Sequence, residues 1–80
     1  MNLYLLAQQN GDYDTYDFAI VCAENVEEAV KIHPNGDYFD TGWTDVESWA
    51  ASPEYVQCRK IGAADEFVGK GSVLASFNAG

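Results

Sequence analysis

Cations are scarce in this chain. Four Lys and Arg stand against 13 Asp and Glu in 80 residues, a formal net charge of −9. Neutralising phosphates takes clustered Lys and Arg, so this balance excludes direct binding of nucleic acid, and the same repulsion excludes an anionic membrane surface. It leaves a basic protein surface as the natural partner, or an acid excess that only keeps the molecule dispersed. Metal-binding and thiol chemistry are equally thin. The one histidine is His33, and Cys22 and Cys58 form no C-x-x-C pair. Zinc and iron sites need such ligands in number and at set spacings. Both cysteines sit in apolar stretches, which predicts buried, reduced thiols in a reducing compartment. No apolar run approaches the roughly 18 residues of a membrane span. The start, MNLYLLAQQN, has no basic flank or cleavage site, so no signal peptide or anchor is predicted.

What is present is the material of a folded core. Hydrophobic residues make up 48%, and the aromatics comprise two Trp, five Tyr and four Phe. A chain this short buries roughly 60–65% of the surface its unfolded form exposes, enough for one domain spanning residues 1–80.

The chain divides by periodicity and turn residues. NLYLLAQ (2–8) predicts a first strand, and DFAIVCA (17–23) a second with apolar residues on both faces, as in a central strand. Between them, NGDYDTYD predicts a long hairpin loop. ENVEEAVKIHP predicts a helix of two to three turns, N-capped by Asn25 with Glu28 three places on, and stopped before Pro34. Val26, Ala29, Val30 and His33 would form its apolar stripe, with Glu27 and Lys31 paired outside. Residues 35–53 are irregular, with TDVESWA a candidate short helix capped by Thr44. EYVQCRKIG (54–62) and GSVLASFN (71–78) predict the third and fourth strands. The expected fold class is α+β: a mainly antiparallel four-stranded sheet with one helix packed on one face, in the order β-β-α-turn-β-β.

Tests for chemistry fail one after another. A calcium loop opening at Asp12 would need an oxygen ligand at Tyr16, a glycine at Asp17 and a glutamate at Ala23, and one opening at Asp37 stumbles on Phe39. GKGS at 69–72 lacks the spacing of a phosphate-binding loop. Any nucleophile–histidine pair must use His33, which falls on the helix's apolar stripe as a packed or capping residue. The sequence therefore predicts no catalytic, cofactor or metal site and no enzyme.

The acidic segments remain, and aromatics are interleaved with them. Asp12, Tyr13, Asp14, Tyr16 and Asp17 crowd the first loop. Glu24, Glu27 and Glu28 mark the helix, and Asp37, Asp40, Trp43, Asp45 and Glu47 follow it. Such a set suits a partner-binding surface, with carboxylates steering association and aromatics carrying affinity. The same aromatics also suit a small local core.

The combination of LYLLAQ, YDTYD, VCAENVEEAVKIHP, WAASPEYV, IGAAD and VLASFNAG resembles a group of small uncharacterised bacterial and prophage-associated proteins. By size and charge the chain also resembles the small acidic inhibitors that phages encode, anti-CRISPR and anti-restriction proteins among them. Those resemblances imply a cytoplasmic protein of the bacterial host cell. They also imply an inhibitor that docks a basic surface of a nucleic-acid-handling complex, in some cases by DNA mimicry, since duplex DNA presents one charge per about 1.7 Å of axis. The alternatives are an assembly module that forms a homodimer through a sheet edge or the aromatic loop, and a small-ligand or metal sensor.

Overall fold

The computed structural model describes residues 1–8, 15–40, 42–43 and 48–78. The elements run β1 (Asn2–Gln8), β2 (Thr15–Ala23), α1 (Val26–Ala29), a 3-10 turn (Pro53–Tyr55), β3 (Val56–Ala63) and β4 (Gly71–Asn78). The strands form one sheet in the order β3-β1-β2-β4, and every neighbouring pair is antiparallel. The molecule is thus α+β, with a four-stranded antiparallel sheet and one short helix.

Alternation along the two inner strands gives the sheet an apolar character on both sides. On one face Tyr4 and Leu6 of β1 stand opposite Val21 and Ala19 of β2, and all four are buried. Ala29, Ile32, Trp43, Trp49 and Ala50 complete this core from outside the sheet, and Val56 does so from β3. Burial of an aliphatic side chain of this kind contributes about 1.5–3 kcal/mol. His33 is fully buried in the same layer. Its ring meets Tyr16, Trp43 and Trp49 edge-on at centroid distances of 5.8, 5.5 and 6.4 Å.

The opposite face carries Leu3, Leu5 and Ala7 of β1 against Cys22, Ile20 and Phe18 of β2, with Leu74 of β4 beside Ile20. The connection from β3 to β4 must travel from one sheet edge to the other, and it passes the Cys22 end of this face. There the Cys22 thiol donates to the Val68 carbonyl at 3.7 Å. Further along the face Phe18 and Leu74 stay exposed.

The helix is shorter than its sequence pattern predicts, one turn instead of two to three. Asn25 does cap it, its side chain accepting from the Glu28 N–H at 2.8 Å. Ala29 and Val30 then bond carbonyls four residues back, but Lys31 and Ile32 bond Glu28 and Ala29, three back. The coil tightens and ends, because Ile32 leaves to bridge Tyr38. The apolar stripe is split accordingly: Ala29 and His33 are buried, Val30 is half-buried and Val26 is exposed. Glu27 and Lys31 do not pair. Beyond Pro34 the chain reverses at Gly36, whose φ of +97° only glycine adopts freely. Asn35 Oδ1 supports this turn by accepting from the Asp37 N–H at 2.8 Å.

Candidate functional site

The carboxylates of the helix region form one outward surface because of how α1 leaves the sheet. β2 ends at Ala23, and Glu24 and Glu27 point into solvent on the way into and through the first turn. Acidic groups there also suit the unpaired N–H groups of a helix start. Glu28 is half-buried and pairs with Lys70 from the β3–β4 connection at 2.8 Å. The Lys70 ammonium also lies 6.0 Å from the centre of the Tyr38 ring, and Tyr38 is exposed between half-buried Asp37 and exposed Asp40.

The Glu28–Lys70 hydrogen bond governs how both groups titrate. It holds the Glu28 carboxyl below its ordinary value, against the opposing effect of burial. The same bond lifts Lys70 above the usual ammonium range. Glu28 therefore adds stability above the pKa of the unfolded carboxylate, which is lost as pH falls through its lower folded value. Lys70 adds stability below its unfolded pKa, which is lost as pH rises through its raised one. The pair is wet, so its contribution to stability is small. Replacing Lys70 with methionine is expected to move the Glu28 titration, followed by NMR at the side-chain carboxyl, back up toward the ordinary range. An unmoved midpoint would mean the two groups do not meet in solution.

The other sequence-predicted residues are dispersed. Asp12, Tyr13, Asp14, Asp45 and Glu47 lie outside the described residues. Asp17 is exposed at an irregularity where β2 pairs with β4. Seven residues of extended chain separate it from Glu24, roughly 23 Å along the sheet, so it belongs to a different end of the molecule. Trp43 is a correction. Read as an aromatic anchor for a partner, it is instead 5% exposed. Its indole N–H donates to the Lys31 carbonyl at 3.3 Å, and its ring meets Phe39 at 5.2 Å and His33 at 5.5 Å. Tyr16 is half-buried and likewise turns to the interior, with Phe77 at 4.9 Å.

Three residues missed in the sequence reading join the acidic end. Ala23 and Ala63 both pair with Asn2, so the chain leaves β2 and β3 at the same end of the sheet. Glu24 exits there from β2, and exposed Asp65 and Glu66 follow β3. Asp65 shapes its own turn, accepting from the Phe67 N–H at 3.0 Å. Phe67 is 89% exposed at the tip. Only the strand order brings these residues beside Glu24, and no local spacing reveals it.

Little else in the described residues has the makings of a reaction centre. No group of three or more His, Cys, Asp or Glu among them is placed to hold a metal ion. Burial pushes the Cys58 thiol up, away from a reactive thiolate. A hollow of about 350 Å³ is lined by Ile32, Gly36, Tyr38, Lys70 and Gly71, and its single charged lining group is the lysine already bonded to Glu28. Among the described residues no helix is long and apolar enough to cross a membrane. No known family, curated protein or solved structure matches the chain.

Proposed function

We propose that this chain is a non-enzymatic binding module that docks its acidic helix end on a basic surface of a larger protein. The observation that carries this reading is the lopsided charge of that end. Glu24, Glu27, Glu28, Asp37, Asp40, Asp65 and Glu66 gather around α1 and the turns beside it, against Lys31 and Lys70. The other two cations, Arg59 and Lys60, stand on β3. A field of this kind speeds encounter with a basic partner and is screened by salt. A channel built for phosphates is such a surface, and the size and charge of the chain support inhibition of a nucleic-acid-handling complex, of the anti-CRISPR or anti-restriction type, as its use.

Affinity capture on the immobilised protein tests this. Bacterial proteins are expected to bind at about 50 mM salt, to be released at about 500 mM, and to be displaced by duplex DNA. They are also expected to be lost when Glu24, Glu27 and Asp65 are all changed to lysine, but not when Glu54 alone is. Capture that survives the triple reversal would refute docking through this end. Failure of DNA to compete would remove the nucleic-acid-handling target.

A further inference from the structure

We propose that the second face of the sheet is closed by another copy of this chain, Phe67 of each copy seating in a hollow on the other. This surface is built on the sheet face rather than on α1, although the loop that carries Phe67 also carries Asp65 and Glu66 of the acidic end. Leu3, Leu5, Ala7, Phe18, Ile20 and Leu74 make the face apolar, and Leu74 is 56% exposed on it. Phe67 is the most exposed large apolar side chain among the described residues, at 89%. Its loop lies against this same face, since the neighbouring Val68 carbonyl accepts from Cys22.

The face also offers a receptor. A hollow of about 280 Å³ is lined by Leu5, Ala7, Gln57, Cys58 and Arg59. A benzene ring fits an apolar cavity of about 150 Å³, so a phenyl side chain can enter. The charges match as well: Arg59 borders the hollow, and Asp65 and Glu66 immediately precede Phe67. Within one chain the two parts do not meet. The crossover lies by Cys22, opposite Leu3, whereas the hollow extends to Ala7 at the other end of β1. A two-fold axis in the plane of the face and perpendicular to the strands reverses the strand direction. It lays the crossover of one copy over the hollow of the next, and reciprocally. A basic partner is a poor occupant here, because the charge at the hollow is itself an arginine.

The geometry also sets the strength. Four strands about 4.8 Å apart and about seven residues long cover roughly 19 by 23 Å, near 440 Å² a side. That is small beside the standard interface of about 800 Å² per partner, so a weak, reversible dimer is expected. Each copy carries −9, so screening will tighten the dimer, whereas docking on a basic partner is weakened by salt. The two proposals can therefore fail independently.

Sedimentation equilibrium of the full chain, over a concentration range spanning about 5–500 µM at low and high salt, provides the test. The expected result is a monomer–dimer equilibrium that salt favours. Phe67→Ala should weaken it at least about tenfold, the scale of a hot-spot truncation. Leu74→Lys should do the same, and the added positive charge lowers the net repulsion, so charge cannot explain its loss. Arg59→Glu should also weaken the dimer, with partial recovery on adding Glu66→Arg. All these side chains are exposed, so the variants should fold as the parent does. A monomer at every concentration, a dimer weakened by salt, or a dimer indifferent to Phe67→Ala and Leu74→Lys would overturn the proposal.

Discussion

Truncating Trp43 to alanine is expected to remove about 3–5 kcal/mol of folding free energy. An 80-residue domain has roughly 4–12 kcal/mol in total, so the variant should be largely unfolded at moderate urea concentrations where the parent remains native. Two losses add. The indole leaves a void between Phe39 and His33, which it meets at 5.2 and 5.5 Å, and the Lys31 carbonyl loses its second donor at 3.3 Å while keeping the Phe39 N–H at 2.7 Å. Trp43→Phe keeps most of the volume but loses the second ring of the indole with its N–H, so it should cost less, about 1–2 kcal/mol. Urea denaturation of the two variants gives both numbers. A Trp43→Ala protein of parental stability would return this side chain to the surface, one of the two places the sequence left open for it.

His33 should rank next. Its Nδ1 accepts from the Asn35 backbone N–H at 3.1 Å, inside a layer where the ring itself has no exposure. His33→Leu fills much of the space but removes the acceptor of the partly buried Asn35 bond, a loss of about 1 kcal/mol. His33→Ala adds a cavity between Tyr16, Trp43 and Trp49, for a total loss of roughly 3–5 kcal/mol. Chemical denaturation of both separates the two contributions. If His33→Leu matched the parent, the Asn35 bond would be exchanged for water at no cost. The protein would then tolerate an apolar residue in the turn that follows α1.

Both predictions concern residues whose place the sequence signalled only in part. The four strands were legible, because period-two alternation and flanking turn residues are local. NLYLLAQ and GSVLASFN have the observed bounds, while β2 begins at Thr15, two residues before the expected Asp17. At the start of β3, Pro53–Tyr55 make a 3-10 turn, so the strand expected from Glu54 opens two residues later, at Val56. Asn25 was legible as a cap for the same local reason. The length of α1 was not: Val26, Ala29, Val30 and His33 fit a helical stripe, but Ile32 is taken by its bridge to Tyr38, a contact outside any helical period. Nor could composition separate Trp43 in the core from Phe67 on the tip, since both follow acidic residues in turn-rich segments. What distinguishes them is the crossing of the β3–β4 connection from edge to edge, a property of strand order.

That strand order also governs how the chain folds. Pairing of β1 with β3 joins residues from 48 positions apart (Gln8 with Val56) to 61 (Asn2 with Ala63). Pairing of β2 with β4 joins residues from 49 (Cys22 with Gly71) to 63 (Thr15 with Asn78). Such distant partners slow the search for the native state, placing folding in the millisecond-to-second range rather than microseconds. During synthesis the hairpin of β1 and β2 must wait with its β1 edge open until β3 has been made and with its β2 edge open until β4 has followed. A protein built this way acquires its native structure late, and its nascent form is the one most exposed to aggregation.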